Sequence, residues 1–156
     1  MARPRPMLAL MEGSLTLLER VQDRWSPLSL RTPDEQRGVI GERAAYFYLR
    51  RLGYVVVARE WTTSTLPGDV DLIAWDGGTL VFVEVKTREA SGAFAAELSV
   101  DDDKMEALQH LADAYVRQLP HPPGESATVR TRFDVMSVYM SDNGKADIRL
   151  MRDFSS

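Results

Sequence analysis

Hydrophobic spacing divides the chain into elements before any other property is considered. Gly68 to Arg88 holds two apolar runs around Asp76-Gly77-Gly78. Two glycines in that place predict a two-residue hairpin loop, because glycine reaches the positive φ angles such loops need. The loop fixes a register in which Asp76 faces Thr79, Ile73 faces Phe82, Asp71 faces Glu84 and Asp69 faces Lys86. Alternation then puts Asp69, Asp71, Ile73, Trp75, Leu80, Phe82, Glu84 and Lys86 on one face. The other face, Val70, Leu72, Ala74, Val81, Val83 and Val85, is wholly apolar and predicts a core-facing side.

Helical spacing flanks this hairpin. Thr32-Pro33-Asp34-Glu35 combines a capping threonine, proline at the first helical position and glutamate three residues after the cap, and Gly53 supplies a stop. Inside that helix Glu42 shares a face with Ala45, Leu49 and Leu52, while Gly38 and Gly41 permit close approach to a neighbour. Tyr54 to Glu60 is β-branched and predicts a first strand. Thr62 to Pro67 reads as a flexible polar linker, and Arg88 to Glu97, with Ser91 and Gly92, as a loop near the charged end of the sheet. Ser99 and Asp102 open a second helix carried by Met105, Leu108, Leu111, Ala112, Tyr115, Val116 and Leu119 and ended by Pro120. After a Pro/Gly loop from His121 to Thr128, Arg130 to Met140 alternates as a strand, and Ala146 to Met151 follows the Ser141 to Gly144 turn as an edge strand. Residues 1–31 read as an N-terminal extension, in which Leu8, Met11, Leu15, Leu18 and Trp25 allow one amphipathic helix before Pro27. The order is α-β-β-β-α-β-β, an α/β domain over residues 32–156 with a mixed sheet of about five strands flanked by helices.

Composition narrows the setting. A chain of 156 residues with 44% apolar and 27% charged positions is sized for one soluble domain with a terminal extension. The absence of cysteine removes disulfides, thiolate zinc sites and cysteine nucleophiles. Arg3 and Arg5 precede only a short apolar run broken by Glu12, and no segment approaches membrane-spanning length, so a cytoplasmic protein without a membrane partner is expected.

The formal charge of −4 argues against a protein that coats nucleic acid nonspecifically. Its distribution is uneven: residues 91–156 hold eleven acidic and seven basic side chains, whereas residues 1–90 hold twelve of each. A basic surface in the first part has Arg43, Arg50, Arg51, Arg59 and Arg88 as candidates, with a solvated helix face as the plain alternative. Of nineteen basic residues sixteen are arginine, which makes Lys86 an exception with a specific job in view. Lys104 lies in the first turn of the second helix, where it opposes the helix dipole; Asp101 to Asp103 offer it simple balance.

The chemistry gathers on the charged end of the hairpin. Residues directly opposed on antiparallel strands have Cβ atoms about 5 Å apart, so Asp71 and Glu84 repel unless a proton or a cation lies between them. Cross-strand ion pairs among Asp69, Asp71, Glu84 and Lys86 are the alternative, and for Glu42 it is a rim carboxylate bonded to backbone. Neither His110 nor His121 has a partner histidine at ligand spacing, which sets aside imidazole metal sites and Ser-His-Asp catalysis. Gly77-Gly78 lacks the following helix of a phosphate-cradling loop.

At this point the sequence resembles a family. Gly41-Glu42 followed by AAYFYLRRLGY, then GDVDLIA, LVFVEVKTR, Lys104 and Arg132-Phe133-Asp134 are similar to the YraN-type uncharacterised bacterial family, placed among restriction-endonuclease-like folds near archaeal Holliday-junction resolvases. The likeness covers roughly residues 37–140. It implies a metal-dependent phosphodiesterase core in which Asp71 and Glu84 match the metal-binding carboxylates, with the Val85 carbonyl beside them. Lys86 matches the motif lysine, and Glu42 the additional acid of the first helix, acting through a water. Asp69 departs from the pattern, since the family usually has glutamate there, and its ligand role is open.

Hard oxygen donors without imidazole or thiolate suit Mg2+ or Mn2+. The resulting expectation is an Mg2+- or Mn2+-dependent endonuclease acting on nucleic acid, DNA above all, in branched or processed form. Glu42, Asp71, Glu84 and Lys86 are its catalytic set, and Arg43, Arg88 and Lys104 its substrate contacts. A non-catalytic nucleic-acid-binding or assembly module that kept the fold is the rival, and a homodimer built through residues 1–31 is a further expectation.

Overall fold

The computed structural model describes residues 32–89, 102–124 and 128–154. The expected helix in residues 1–31, the loop from 90 onward, the Ser99 cap and residues 125–127 lie outside the described residues.

Helix α1 (Pro33–Arg51) starts as the capping pattern predicts. The Thr32 N–H donates to Glu35 Oε2 at 2.7 Å, and the Glu35 N–H donates back to Thr32 Oγ1 at 3.3 Å. It stops where Gly53 takes φ +88°, a conformation that favours glycine. Strands β1 (Val55–Thr63), β2 (Leu66–Asp76) and β3 (Thr79–Glu89) follow, then helix α2 (Asp102–Arg117) and strands β4 (Arg130–Met140) and β5 (Ala146–Met151). They form one five-stranded sheet in the order β1-β2-β3-β4-β5, with β3 and β4 parallel and all other neighbours antiparallel. The fold class and the element order are those expected.

The two helices cover opposite faces. Ala45, Tyr46 and Leu49 of α1 pack on Leu72, Ala74, Val81, Val83, Met136 and Val138. Leu108, Leu111, Ala112 and Tyr115 of α2 pack on Ile73, Trp75, Leu80 and Phe82. Both faces of the central strands are therefore apolar over the paired stretch next to the Gly77-Gly78 turn, and Asp71 and Glu84 follow it near mid-strand.

Two expectations change. Thr62 to Pro67 is not a linker: Thr63 pairs with Leu66 across Ser64-Thr65, making a tight β1–β2 hairpin in which the Thr63 and Thr65 hydroxyls lie 3.2 Å apart. The alternation of β2 also breaks at Asp71, because Val70 joins the α2-side core while Leu72 joins the α1-side core. β1 turns over in step. Arg59, paired with Leu72, lies 5.9 Å from the Tyr46 ring on α1, whereas Trp61, paired with Val70, lies edge-on to Tyr115 of α2 at 5.3 Å. Between them Glu60 adopts φ +45°, and this strained backbone marks the point where the outer half of the hairpin peels from the sheet and wraps onto α2.

Candidate functional site

The peel point creates the site. In the β2–β3 ladder the register expected from the Gly77-Gly78 turn holds, from Asp76↔Thr79 through Ile73↔Phe82, and the registered pairs end at Leu72↔Val83. One step further the Val85 N–H is met not by backbone but by the carboxylate of Asp71, whose Oδ2 accepts from it at 2.6 Å. Asp71 thus fills the gap left where β2 diverges.

That carboxyl is in an unfavourable place for a charge. Burial, then the nearby Glu84, push its pKa up to about 8 against the pull of the Val85 N–H, and Glu42 and Asp69 push in the same direction. Glu84 is the second half of the problem. Its side chain is 12% exposed, and Oε2 is buried and accepts no hydrogen bond among the described residues. The Lys104 ammonium lies 3.3 Å from Oε2, an ion pair by distance that misses hydrogen-bond geometry. Coulomb attraction offsets part of the burial of Glu84 and leaves its lone pairs unfilled.

Glu42 belongs to the same neighbourhood from the α1 side. It lines an open cleft of about 360 Å³ with Asp34, Arg37, Gly38, Val85, Thr87 and Arg88. Asp71 and Glu84 do not line this cleft. Val85 joins the two, since it borders the cleft and gives its N–H to Asp71. The approach of α1 to β3 depends on Gly41: a Cβ there would fall 1.7 Å from Thr87 Oγ1 and 2.8 Å from Thr87 Cβ.

The remaining expected residues are dispersed. Lys86 follows Glu84 by two positions on β3, half-buried. Arg88 sits on the cleft, Lys104 is held at Glu84, and Arg43 lies on the outer side of α1 with its guanidinium 6.0 Å from the Phe47 ring centroid. Asp69 acts on Asp71 through its charge. Among the described residues no three carboxylate or imidazole side chains gather into a ready metal cage. Two carboxylates with backbone carbonyl and water are nevertheless the donor set Mg2+ ordinarily uses, and a buried carboxylate oxygen without a hydrogen bond fits that use.

Sequence reasoning missed a second polar centre at the turn end of the sheet. Arg132 donates through Nε and a terminal nitrogen to both oxygens of the buried Asp134, at 2.8 and 2.9 Å, and reaches Asp76 and the Tyr54 hydroxyl at 2.9 Å each. These bonds and the Asp76 and Asp134 carboxylates raise the Arg132 pKa still further, so its charge is permanent. The Asp153 N–H donates to Asp134 Oδ1 at 3.0 Å, tying the C-terminal residues to β4. Arg132-Phe133-Asp134 was visible as a motif, but its partners are distant in sequence.

A mixed sheet with one helix on each face and acids at the divergent end of its middle strands defines a restriction-endonuclease-like α/β domain. Within that class the chain belongs to the uncharacterised protein family UPF0102, the YraN family, whose model matches residues 41–138. It is 40% identical over 124 residues to a UPF0102 protein of Koribacter versatilis, covering 77% of this chain and 82% of the relative. A UPF0102 protein of Solibacter usitatus is 40% identical over 131 residues, covering 84% and 93%. One from Desulfosudis oleivorans is 36% identical over 115 residues, covering 74% and 88%.

Proposed function

We propose that this protein is a divalent-metal-dependent phosphodiesterase acting on nucleic acid. The observation that carries the reading is the meeting of Asp71 and Glu84 at the peel point, one carboxyl pushed up to about 8 and the other with a buried oxygen that accepts no hydrogen bond among the described residues. Such a pair is costly for packing alone and suited to a cation. Asp71, Glu84 and the Val85 carbonyl would hold Mg2+ or Mn2+. The ion supplies Lewis acidity there, lowering the pKa of water and neutralising charge on a phosphate.

The protein's own groups do the rest. Asp71, anchored by the Val85 N–H, keeps its carboxylate in one orientation. Glu42, on the cleft side, orders water, and Lys86 supplies a positive charge beside the developing negative charge of the phosphoryl group. Arg37 and Arg88 line the cleft through which a phosphate would approach.

Calorimetric titration of Mg2+ and Mn2+ tests the reading first. Wild type is expected to bind, and Glu84→Ala to lose the heat signal. Cleavage of branched, flapped and single-stranded DNA and of RNA is expected only with metal. Absence of carboxylate-dependent binding overturns the site. A non-catalytic binding module is the second reading, favoured by Lys104, which sits on Glu84 rather than toward a substrate. Metal binding without cleavage of any substrate would put it first.

A further inference from the structure

The outward side of α1 carries an exposed stripe of apolar and basic residues. Its inward side supplies the buried Val39, Gly41, Ala45, Tyr46 and Leu49. The opposite side presents Gln36, Ile40, Arg43, Phe47, Arg50 and Arg51 at three- and four-residue spacing. Phe47 is 43% exposed and Ile40 38%; Phe47 meets the core ring of Tyr46 edge-on at 5.2 Å and leaves the rest of its surface to solvent. Around them the arginines are stacked on rings. Arg43 lies over Phe47, Arg50 lies 5.7 Å from the Tyr46 centroid and bonds its hydroxyl at 3.3 Å, and Arg51 lies 5.9 Å from Tyr48. A guanidinium drawn to a ring by cation–π attraction keeps further N–H groups for an acceptor, as Arg50 and Arg51 do here. Arg50 and Arg51 make no ion pair among the described residues, and the stripe contains no acid.

Charge selects the occupant. A second copy packed by this same face would bring like arginines together, which is strongly unfavourable. Residues 1–31 hold five arginines against three acidic residues, so they too carry the wrong sign. A polyanion has the right one. From Arg43 to Arg51 the helix rises about 12 Å, enough for a few nucleotides of a strand to lie along it. An exposed aromatic ring between phosphate-binding arginines suits a base that is free to stack, and a base inside a duplex is not.

We infer that the outer face of α1 is a track for an unpaired nucleic-acid strand, with Arg43, Arg50 and Arg51 on its phosphates and Phe47 stacked on one base. The inference rests on the reading of the protein as a nucleic-acid enzyme and names its substrate class: DNA or RNA that carries a single-stranded segment. The track lies on the side of α1 turned away from the cleft-lining Asp34, Gly38 and Glu42, so the strand it holds is a segment outside the cleft.

Fluorescence anisotropy with a labelled single-stranded DNA oligonucleotide, and with the same strand in a duplex, tests this in EDTA so that no cleavage intervenes. Phe47→Ala is expected to weaken single-strand binding about tenfold and duplex binding little, with the salt dependence unchanged. Arg50→Ala and Arg51→Ala are each expected to lower the slope of log affinity against log salt by about 0.7. Phe47→Trp is expected to restore binding, which separates stacking from any effect on the fold. Wild-type binding that all three alanine variants retain overturns the track and leaves the phosphodiesterase reading standing. Wild type that binds no strand in EDTA yet cleaves one with Mn2+ overturns the track alone, and wild type that neither binds nor cleaves overturns that reading itself. Loss of a dimer in Phe47→Ala, seen by mass measurement, overturns the track in favour of self-contact.

Discussion

Asp71 concentrates the properties of the site in one side chain. Its folded-state pKa of about 8 lies above the usual carboxylate value, so between roughly pH 4 and pH 8 the folded chain holds a proton that the unfolded chain has released. The metal-free protein is therefore expected to lose stability as pH rises through this window and to level off above it. Asp71→Asn is expected to flatten the profile. Mn2+ competes with the same proton, so the rise in melting temperature it produces is expected to grow with pH toward 8. Thermal melts at several pH values, with and without the ion, check all three. That this carboxylate comes near Glu84 was legible in the sequence, because Gly77-Gly78 leaves one register, although the paired residues stop one step short, at Leu72 and Val83. Its grip on the Val85 N–H was not, since that depends on where two strands part.

At the scale of elements, the site is held by how closely α1 approaches β3. Gly41→Ala puts a methyl group against Thr87 and is expected to cost about 1–3 kcal/mol in denaturant unfolding while displacing Glu42. Combining it with Thr87→Gly is expected to recover most of the loss. The helix caps, the hairpin turn and strands β4 and β5 were readable because each is specified by neighbours in sequence. The peeling of the β1–β2 hairpin was not, and its cause is tertiary. Trp61 and Val70 find their apolar partners on α2, and the Trp61–Tyr115 contact overrides the period-two alternation that placed Val70 with Leu72. The same contact decides which carboxylates lose their ladder and become available for chemistry.

Across the whole molecule the two polar centres come within a row of each other on the sheet, Asp134 paired with Val83 and Glu84 with Val135, yet serve different purposes. Arg132 and Asp134 join β4, β2, the residue after α1 and the C-terminal residues, with Asp134 fully buried. Arg132→Leu leaves that carboxylate buried without its counter-charge and is expected to cost about 3–5 kcal/mol by denaturant titration, with divalent-ion affinity of the folded protein preserved. Through both centres runs the parallel β3–β4 pair, registered over eleven residues from Thr79↔Arg130 to Glu89↔Met140. A parallel pair cannot close as a hairpin, so during synthesis β3 emerges and pairs with β2 well before β4 exists. For that interval its far edge is naked, the situation in which strands of different chains join and aggregate. Glu84 then interrupts an otherwise apolar run, Leu80 to Val85, and Lys86 ends it, with charges that disfavour pairing by a foreign strand. A Glu84→Val variant is accordingly expected to aggregate more during expression than wild type, measured as the insoluble fraction.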